Sequence, residues 1–400
     1  MVTEGPWLTI VGIGEDGVAG LSDAARVALE QARVIMGAPR QLALLPPLKA
    51  EWLTWPVPFE DGVEALLARR GEPIVMLASG DPFWFGAGVR ITRHLRLQEW
   101  VSHPAPSSFA LAASRLGWAL QDVACHGLHA APFTRLRPML APGRRAIILL
   151  RDGAAVQALG RYLAEAGFGA STLHILEALG GPRERVRQAF AEQIAFDDIA
   201  HPVAVGVDVA GGGEMMPCVS GLADDWFDHD GQISKRPVRA LTLSALAPRP
   251  GETLWDIGAG SGSIAIEWLL SHASTQAIAF EADPIRAARA KGNAQRLGVD
   301  RLTLVEGRAP AVLDGRVRPQ AIFIGGGLSE AMMEAIIALP GERTRLVANA
   351  VTLESEALLA RWHERLGGEL LRIEMASAAP IGTRRGWKAA YPLVQWSVTL

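Results

Sequence analysis

The residues with the clearest chemical meaning are Asp256, Gly258, Gly260, Gly262 and Glu281. In Asp256-Ile257-Gly258-Ala259-Gly260-Ser261-Gly262 the glycines alternate behind an aspartate, and Glu281 closes the next apolar run, Ala277-Ile278-Ala279-Phe280. Glycines let the backbone turn tightly and approach a ligand, and a helix starting behind them offers unpaired N–H groups. A carboxylate at a strand end can accept from ribose hydroxyls, so the set is suited to holding a nucleoside. It differs from the dinucleotide fingerprint G-x-G-x-x-G, whose last glycine position falls on Ser263. A Gly-rich connector without a ligand is the plainer alternative; strand, loop, helix and acidic strand end occurring together argue against it.

A second set of small and polar residues lies in the first half. Leu8-Thr9-Ile10-Val11 runs into Gly12-Ile13-Gly14, Ile74-Val75-Met76-Leu77-Ala78 empties into Ser79-Gly80-Asp81-Pro82, and Pro104-Ala105-Pro106 leads to Ser107 and Ser108 at a helix start. Two Gly-rich strand ends and a Ser-Ser helix start would line one cleft with backbone donors and small side chains. Asp81 serves equally well as a turn cap. Cations gather as Lys235, Arg236 and Arg239 at helical spacing, and again as Arg384, Arg385 and Lys388. They offset the charge of a polycarboxylate ligand, or they form solvated basic faces. His229 and Asp230, just ahead of the first cluster, are candidates for an acid in a proton transfer, with a structural role as the alternative.

The elements needed to position these residues alternate clearly in the second half. Strands are predicted at 253–257, 277–281, 302–305, 321–324, 345–349, 370–375 and 395–399, with helices between them. One helix starts with Asp283 as its cap and Pro284 at its first position, and stops near Gly298. This pattern implies a mostly parallel, doubly wound sheet with its ligand at the strand C-terminal ends. In the first half, Ser22 is expected to cap a helix running to about Met36. The Gly-rich stretch Ala210-Gly211-Gly212-Gly213 suggests a boundary, giving domains 1–212 and 213–400. The aromatic segment 221–231 is either a lid over the second site or a packed connector.

D-x-G-x-G-x-G with a strand-end Glu resembles the S-adenosylmethionine loop of class I methyltransferases. The first half, with its V-G-x-G strand end, G-D-P loop and P-x-x-S-S helix start, resembles the class III tetrapyrrole methylases. Leu176-Glu177-Ala178-Leu179-Gly180-Gly181-Pro182-Arg183-Glu184-Arg185 is similar to a segment of their cobalamin-pathway members. With the stretch from Asp228 to Leu243 between them, the two halves resemble the bifunctional precorrin-6Y C5,15-methyltransferase (decarboxylating) family over essentially the whole chain. The resemblance implies an α/β protein: a class III tetrapyrrole methylase fold of two α/β subdomains with a cleft, then a Rossmann-like class I domain. It implies methylation of C5 by the first half, and methylation of C15 with decarboxylation of the C12 acetate by the second.

On that basis Gly12, Gly14, Gly80, Asp81, Ser107 and Ser108 would bind one S-adenosylmethionine. Asp256, Gly258, Gly260, Gly262, Glu281, Gly307, Arg308, Ala309 and Gly325 would bind another. Arg308 departs from the Gly-Asp-Ala common in related enzymes. Lys235, Arg236, Arg239, Gly326 and Arg384 would meet the tetrapyrrole. His229, Asp230, Lys235 and Arg236 are the catalytic candidates. Ile324-Gly325-Gly326-Gly327 replaces the Asn/Asp-Pro-Pro-aromatic motif of many nucleic-acid amine methylases.

Composition narrows the classes further. At 400 residues and 49% hydrophobic content the chain is long and apolar enough for two cored domains. Thirty-nine Lys and Arg against 42 Asp and Glu, a net charge of −3, argue against a nucleic-acid partner. Cys125 and Cys218 have no metal-ligand spacing, so no metal is expected. No leader or membrane span is expected, which makes the protein cytoplasmic, and the resemblance suggests a homo-oligomer. An RNA methyltransferase and a non-catalytic S-adenosylmethionine-binding protein are the alternatives.

Overall fold

The structure, a computed structural model, describes residues 5–339 and 343–400. It divides into two compact units, Met1–Phe133 with Met139–Glu214, and Thr134–Pro138 with Met215–Leu400.

The first unit carries two five-stranded sheets. In the first, β1 (Leu8–Ile13), β2 (Val34–Gly37), β3 (Glu51–Thr54), β4 (Ile74–Ser79) and β5 (Trp100–His103) lie in the order β3-β2-β4-β1-β5, all parallel. The central strands are Val-, Ile- and Leu-rich and buried on both faces, as a covered parallel sheet requires. The second sheet contains β6 (Ala124–Gly127), β7 (Arg145–Leu150), β8 (Thr172–Glu177), β9 (Arg185–Phe190) and β10 (Val203–Asp208) in the order β6-β7-β10-β8-β9. The helix capped by Ser22 ends at Gln31 rather than near Met36. Val34-Ile35-Met36 are instead fully buried in β2, where apolar and partly β-branched side chains pack between two neighbouring strands.

The second unit is a doubly wound sheet of β11 (Thr253–Ile257), β12 (Gln276–Glu281), β13 (Thr303–Glu306), β14 (Ala321–Ile324), β15 (Arg345–Ala350), β16 (Glu369–Ile373) and β19 (Leu393–Thr399). The order is β13-β12-β11-β14-β15-β19-β16; the first five strands run parallel, and β19 is antiparallel to both its neighbours. Between β16 and β19 the chain forms a separate hairpin, β17 (Ala376–Ile381) and β18 (Arg384–Ala389), which the sequence pattern did not reveal. Its small and basic residues are mostly exposed and lack the alternation that marks a half-buried strand.

Trp255 and Trp268 fill opposite faces of this sheet, and Asp283 caps the Pro284–Arg296 helix by accepting from Ile285 N–H at 2.8 Å and Arg286 N–H at 3.2 Å. The segment 221–231 is a packed connector, not a lid. Trp226 and Phe227 are buried in one core with Leu243 and Trp268. Burying a side chain such as Phe227 favours that placement by about 2–3 kcal/mol over leaving it exposed on a flap.

Candidate functional sites

The second unit opens a cleft of about 640 Å³ at the C-terminal ends of its parallel strands. β11 delivers Gly258, Ala259, Gly260 and Ser261 to its wall, β12 delivers Glu281, and the turn after β13 delivers Gly307, Arg308 and Ala309. Gly258 adopts φ +72, and a Cβ there would lie 2.7 Å from the Gly326 Cα, so glycine lets the β11 and β14 turns meet. Glu281 holds the turn together: its carboxylate accepts from Gly260 N–H at 2.8 Å and from Asp283 N–H at 2.9 Å. Each oxygen retains a lone pair for a ligand in the cleft it borders. Ser261 also borders it, with its Oγ buried and without a partner among the described residues.

Asp256 and Gly262 support this loop from behind and do not line the cleft. Asp256 is 1% exposed and accepts from Ala265 N–H at 3.0 Å, bracing the start of the Ser263–Ser271 helix. Burial, reinforced by the charge of Glu281 and opposed by the Ala265 N–H, pushes its carboxyl up to about 7. The far wall holds Gly325, Gly326, Asn349, Val351, Met375 and Tyr391. Narrow apolar walls, glycine floors and a few fixed polar groups suit a nucleoside lying beside a large flat partner.

Of the expected substrate and catalytic residues, Lys235 and Gly326 line this cleft. Lys235 is exposed and lies 3.6 Å from Asp224. Arg236, Arg384, His229 and Asp230, expected at the substrate or at the chemistry, are not among its lining residues. His229 Nδ1 accepts from Gly231 N–H at 3.0 Å, and Asp230 accepts from Gln232 N–H at 3.0 Å and pairs with Arg286 at 2.8 Å. The Gln232 N–H first, and then the Arg286 guanidinium, lower the Asp230 carboxyl below its ordinary value, the reverse of what a proton donor needs.

Arg239 lies apart from the cleft lining. It is fully buried, pairs with Glu267 at 2.5 Å and Asp224 at 3.2 Å, donates to the carbonyls of Ser234 and Leu222, and lies over the Phe227 ring. Four of its five N–H groups tie the connector to the core, and its side chain is sealed from solvent. Residues not anticipated at the cleft include Gln232, Arg286, Asn349 and Tyr391. Gln232 belongs to the stretch from Asp228 to Leu243, while Arg286, Asn349 and Tyr391 arrive from elements far apart in sequence and carry no motif.

The first unit has its own cleft, about 420 Å³, between its two sheets. Gly14, Gly80, Asp81, Ser107 and Ser108 line it. Gly12 lies behind: a Cβ there would collide with the Gly80 carbonyl oxygen, so β1 and the turn after β4 touch through glycine. Asp81 also caps its own turn, accepting from Phe83 N–H at 2.8 Å, and Ser107 caps the Ser108–Leu116 helix through Ala110 N–H at 3.1 Å. Arg40, Arg151, His129 and His201 also line it, none of which carried a sequence signal. Arg40 is held by Glu15 and by Ser79 Oγ at 2.8 Å. Burial first, then Arg40, lowers the His201 imidazole below its ordinary value.

Similarity to known proteins divides along the same line. Residues 7–195 match the family described as tetrapyrrole (corrin/porphyrin) methylases, and residues 225–400 match the precorrin methyltransferase domain. A precorrin-6Y C(5,15)-methyltransferase (decarboxylating) from a Sinorhizobium species is 52% identical over 98% of this chain and 96% of that one. A relative of the same description from Mycobacterium tuberculosis is 42% identical over 98% of this chain and 99% of its own. A probable cobalt-precorrin-6B C(15)-methyltransferase (decarboxylating) from Pyrobaculum aerophilum is 34% identical over 38% of this chain and 80% of its own. Among solved structures, the C-terminal domain of precorrin-6Y C5,15-methyltransferase from Rhodobacter capsulatus is 49% identical. It covers 46% of this chain and all of that one, with a TM-score of 0.45.

Proposed function

The chain belongs to the precorrin-6Y C(5,15)-methyltransferase (decarboxylating) family, and from that premise we propose a division of labour between its two clefts. It is a methyltransferase of cobalamin biosynthesis that couples methylation with decarboxylation. In this reading the methyl donor in both units is S-adenosylmethionine and the acceptor is the reduced macrocycle precorrin-6Y. The first unit methylates C5, the second methylates C15 and removes the carboxyl of the C12 acetate, and the product is precorrin-8. The observation that carries the two-site reading is that each unit has its own cleft, bordered by the C-terminal ends of its own parallel strands.

In the second cleft Glu281 would accept from the ribose hydroxyls, the backbone of Gly258 and Gly260 would border the methionine portion, and Gly307, Arg308 and Ala309 would flank the adenine. S-adenosylmethionine, when bound, supplies an electrophilic methyl group on a sulfonium. The protein's task is positioning, because a reduced tetrapyrrole brings its own electron-rich carbon. Gly325 and Gly326 leave room for that flat acceptor, and Lys235 offers a cation to one anionic arm. In the first cleft Gly14, Gly80, Asp81, Ser107 and Ser108 would face the donor, with Arg40 and Arg151 toward the acceptor's carboxylates. We also propose a cytoplasmic homo-oligomer, to be tested by cell fractionation and light scattering.

The decisive experiment incubates the full chain with reduced precorrin-6 and labelled S-adenosylmethionine and weighs the product. Gain of two methyl groups with loss of one carbon dioxide supports the reading. An unchanged macrocycle, with RNA labelled in its place, refutes it.

A further inference from the structure

A buried polar triangle abuts the second cleft and takes no part in the cofactor loop. Thr242 is 0% exposed and Gln395 4%, yet both side chains point into one contact with Asn349, which lines the cleft. Asn349 Nδ2 donates to Thr242 Oγ1 at 3.0 Å, and Gln395 Nε2 donates to Thr242 Oγ1 and to Asn349 Oδ1, each at 3.0 Å. Asn349 and Gln395 are directly opposed residues of β15 and β19, and Thr242 comes from the Arg236–Leu246 helix. Burying Thr242 and Gln395 where aliphatic side chains would pack costs free energy, which their hydrogen bonds to each other and to the half-buried Asn349 offset.

The triangle fixes which way the Asn349 amide faces. Other amide orientations either set like atoms against each other or ask the one Thr242 hydroxyl proton to serve two carbonyl oxygens. In the arrangement observed, Gln395 spends both its N–H groups on the triangle. Asn349 keeps one N–H that has no partner among the described residues. The sheet register places this amide. Ile324 pairs with Ala348, so Asn349 lies level with Gly325, on the side of the cleft away from Glu281 and the glycine loop.

We infer that Asn349 holds the carboxylate that the second unit removes, with Thr242 and Gln395 as the residues that position it. This rests on the assignment of decarboxylation to that unit. In the step, the bond between the side-chain methylene and the carboxylate breaks and its electron pair passes into the conjugated macrocycle. Carbon dioxide leaves, and the pair returns to the methylene carbon as that carbon takes a proton from water, giving the new methyl group and hydroxide. Negative charge therefore moves off the carboxylate as the transition state forms. A cation bound tightly to it would stabilise the ground state more than the transition state and slow the reaction. A neutral amide N–H orients the group with a smaller penalty of that kind, which is why an asparagine fixed by two neutral partners suits this place better than Lys235.

The test measures carbon dioxide release and methyl transfer separately in the full chain, supplied with a reduced precorrin and S-adenosylmethionine. Asn349→Asp keeps the volume and can still accept from Gln395, with the Thr242 hydroxyl turning to donate where it now accepts, but sets a carboxylate against a carboxylate. It should lower carbon dioxide released per methyl transferred by roughly ten- to hundred-fold, the worth of a hydrogen bond to a charged group, without changing affinity for S-adenosylmethionine. Gln395→Met leaves Asn349 free to rotate, should lower the same ratio by a smaller factor, and serves in its place if Asn349→Asp does not fold. Wild-type ratios in folded Asn349→Asp or Gln395→Met overturn the inference alone. A wild-type chain that methylates without releasing carbon dioxide overturns the functional reading, and the inference with it.

Discussion

Asp256 allows a prediction with a sign and a size. Its carboxyl is 1% exposed, has one hydrogen bond from Ala265 at Oδ2, and has none at Oδ1 among the described residues. Burial, then the nearby Glu281 charge, raises its pKa from 3.8 to about 7. In the unfolded chain the group returns to its ordinary value. Between those two values the folded protein keeps a proton that the unfolded chain has lost, so stability is fully present at low pH. It falls as pH rises from about 4 through about 7, and levels off above. Each tenfold difference in proton affinity between the folded and unfolded chain is worth about 1.4 kcal/mol, which bounds the loss at ~4 kcal/mol.

Asp256→Asn has no proton to lose. Measured against the wild type, its stability should improve by about 2–4 kcal/mol between pH 4 and pH 8. Hydrogen exchange of peptides covering β11 and the following helix, corrected for intrinsic exchange rates, reports on this unit separately from the other. Glu281→Gln should shift the wild-type midpoint downward, because it removes the second cause of the raised pKa. Parallel pH curves for wild type and Asp256→Asn would refute the reasoning.

Three further outcomes are expected. On the proposed assignment, Glu281→Ala should weaken one of the two proposed S-adenosylmethionine sites by about 1.5–3 kcal/mol, the worth of a charge-assisted hydrogen bond. It should also loosen the loop, because Gly260 N–H and Asp283 N–H lose their acceptor; calorimetric titration showing two unchanged sites would remove Glu281 from the cofactor. Arg239→Leu should destabilise the second unit by about 3–5 kcal/mol, because Glu267 stays buried without its cation; unchanged hydrogen exchange in that unit would show that the pair carries no such weight. Gly80→Arg should stop the reaction after a single methylation with carbon dioxide still released. A Cβ at Gly80 already meets the Pro106 carbonyl oxygen at 3.0 Å, with φ at +56, and the longer side chain enters the first cleft. Loss of carbon dioxide release with second-site cofactor binding intact would contradict the separation of the two clefts.

What could be known from the chain alone was whatever depends on near neighbours in sequence. β11 and β14 occur at the residues expected, Asp283 caps its helix, and Gly258, Gly260 and Gly262 all take positive φ in the predicted turn. Turn geometry, capping and apolar periodicity act over a few residues, so they can be read before the fold exists. Local pattern failed where packing partners were distant. Val34-Ile35-Met36 looked like a helix end and became a strand between β3 and β4. Lys235 and Arg239, alike as basic residues at helical spacing, ended in opposite surroundings: one lines the cleft, and the other is sealed against Glu267. Thr242, Asn349 and Gln395 carry no motif at all. They come together only because β15 and β19 pair antiparallel beneath the Arg236–Leu246 helix, and a hydrogen bond forms between groups that the whole fold, not the adjoining residues, brings within 3.0 Å.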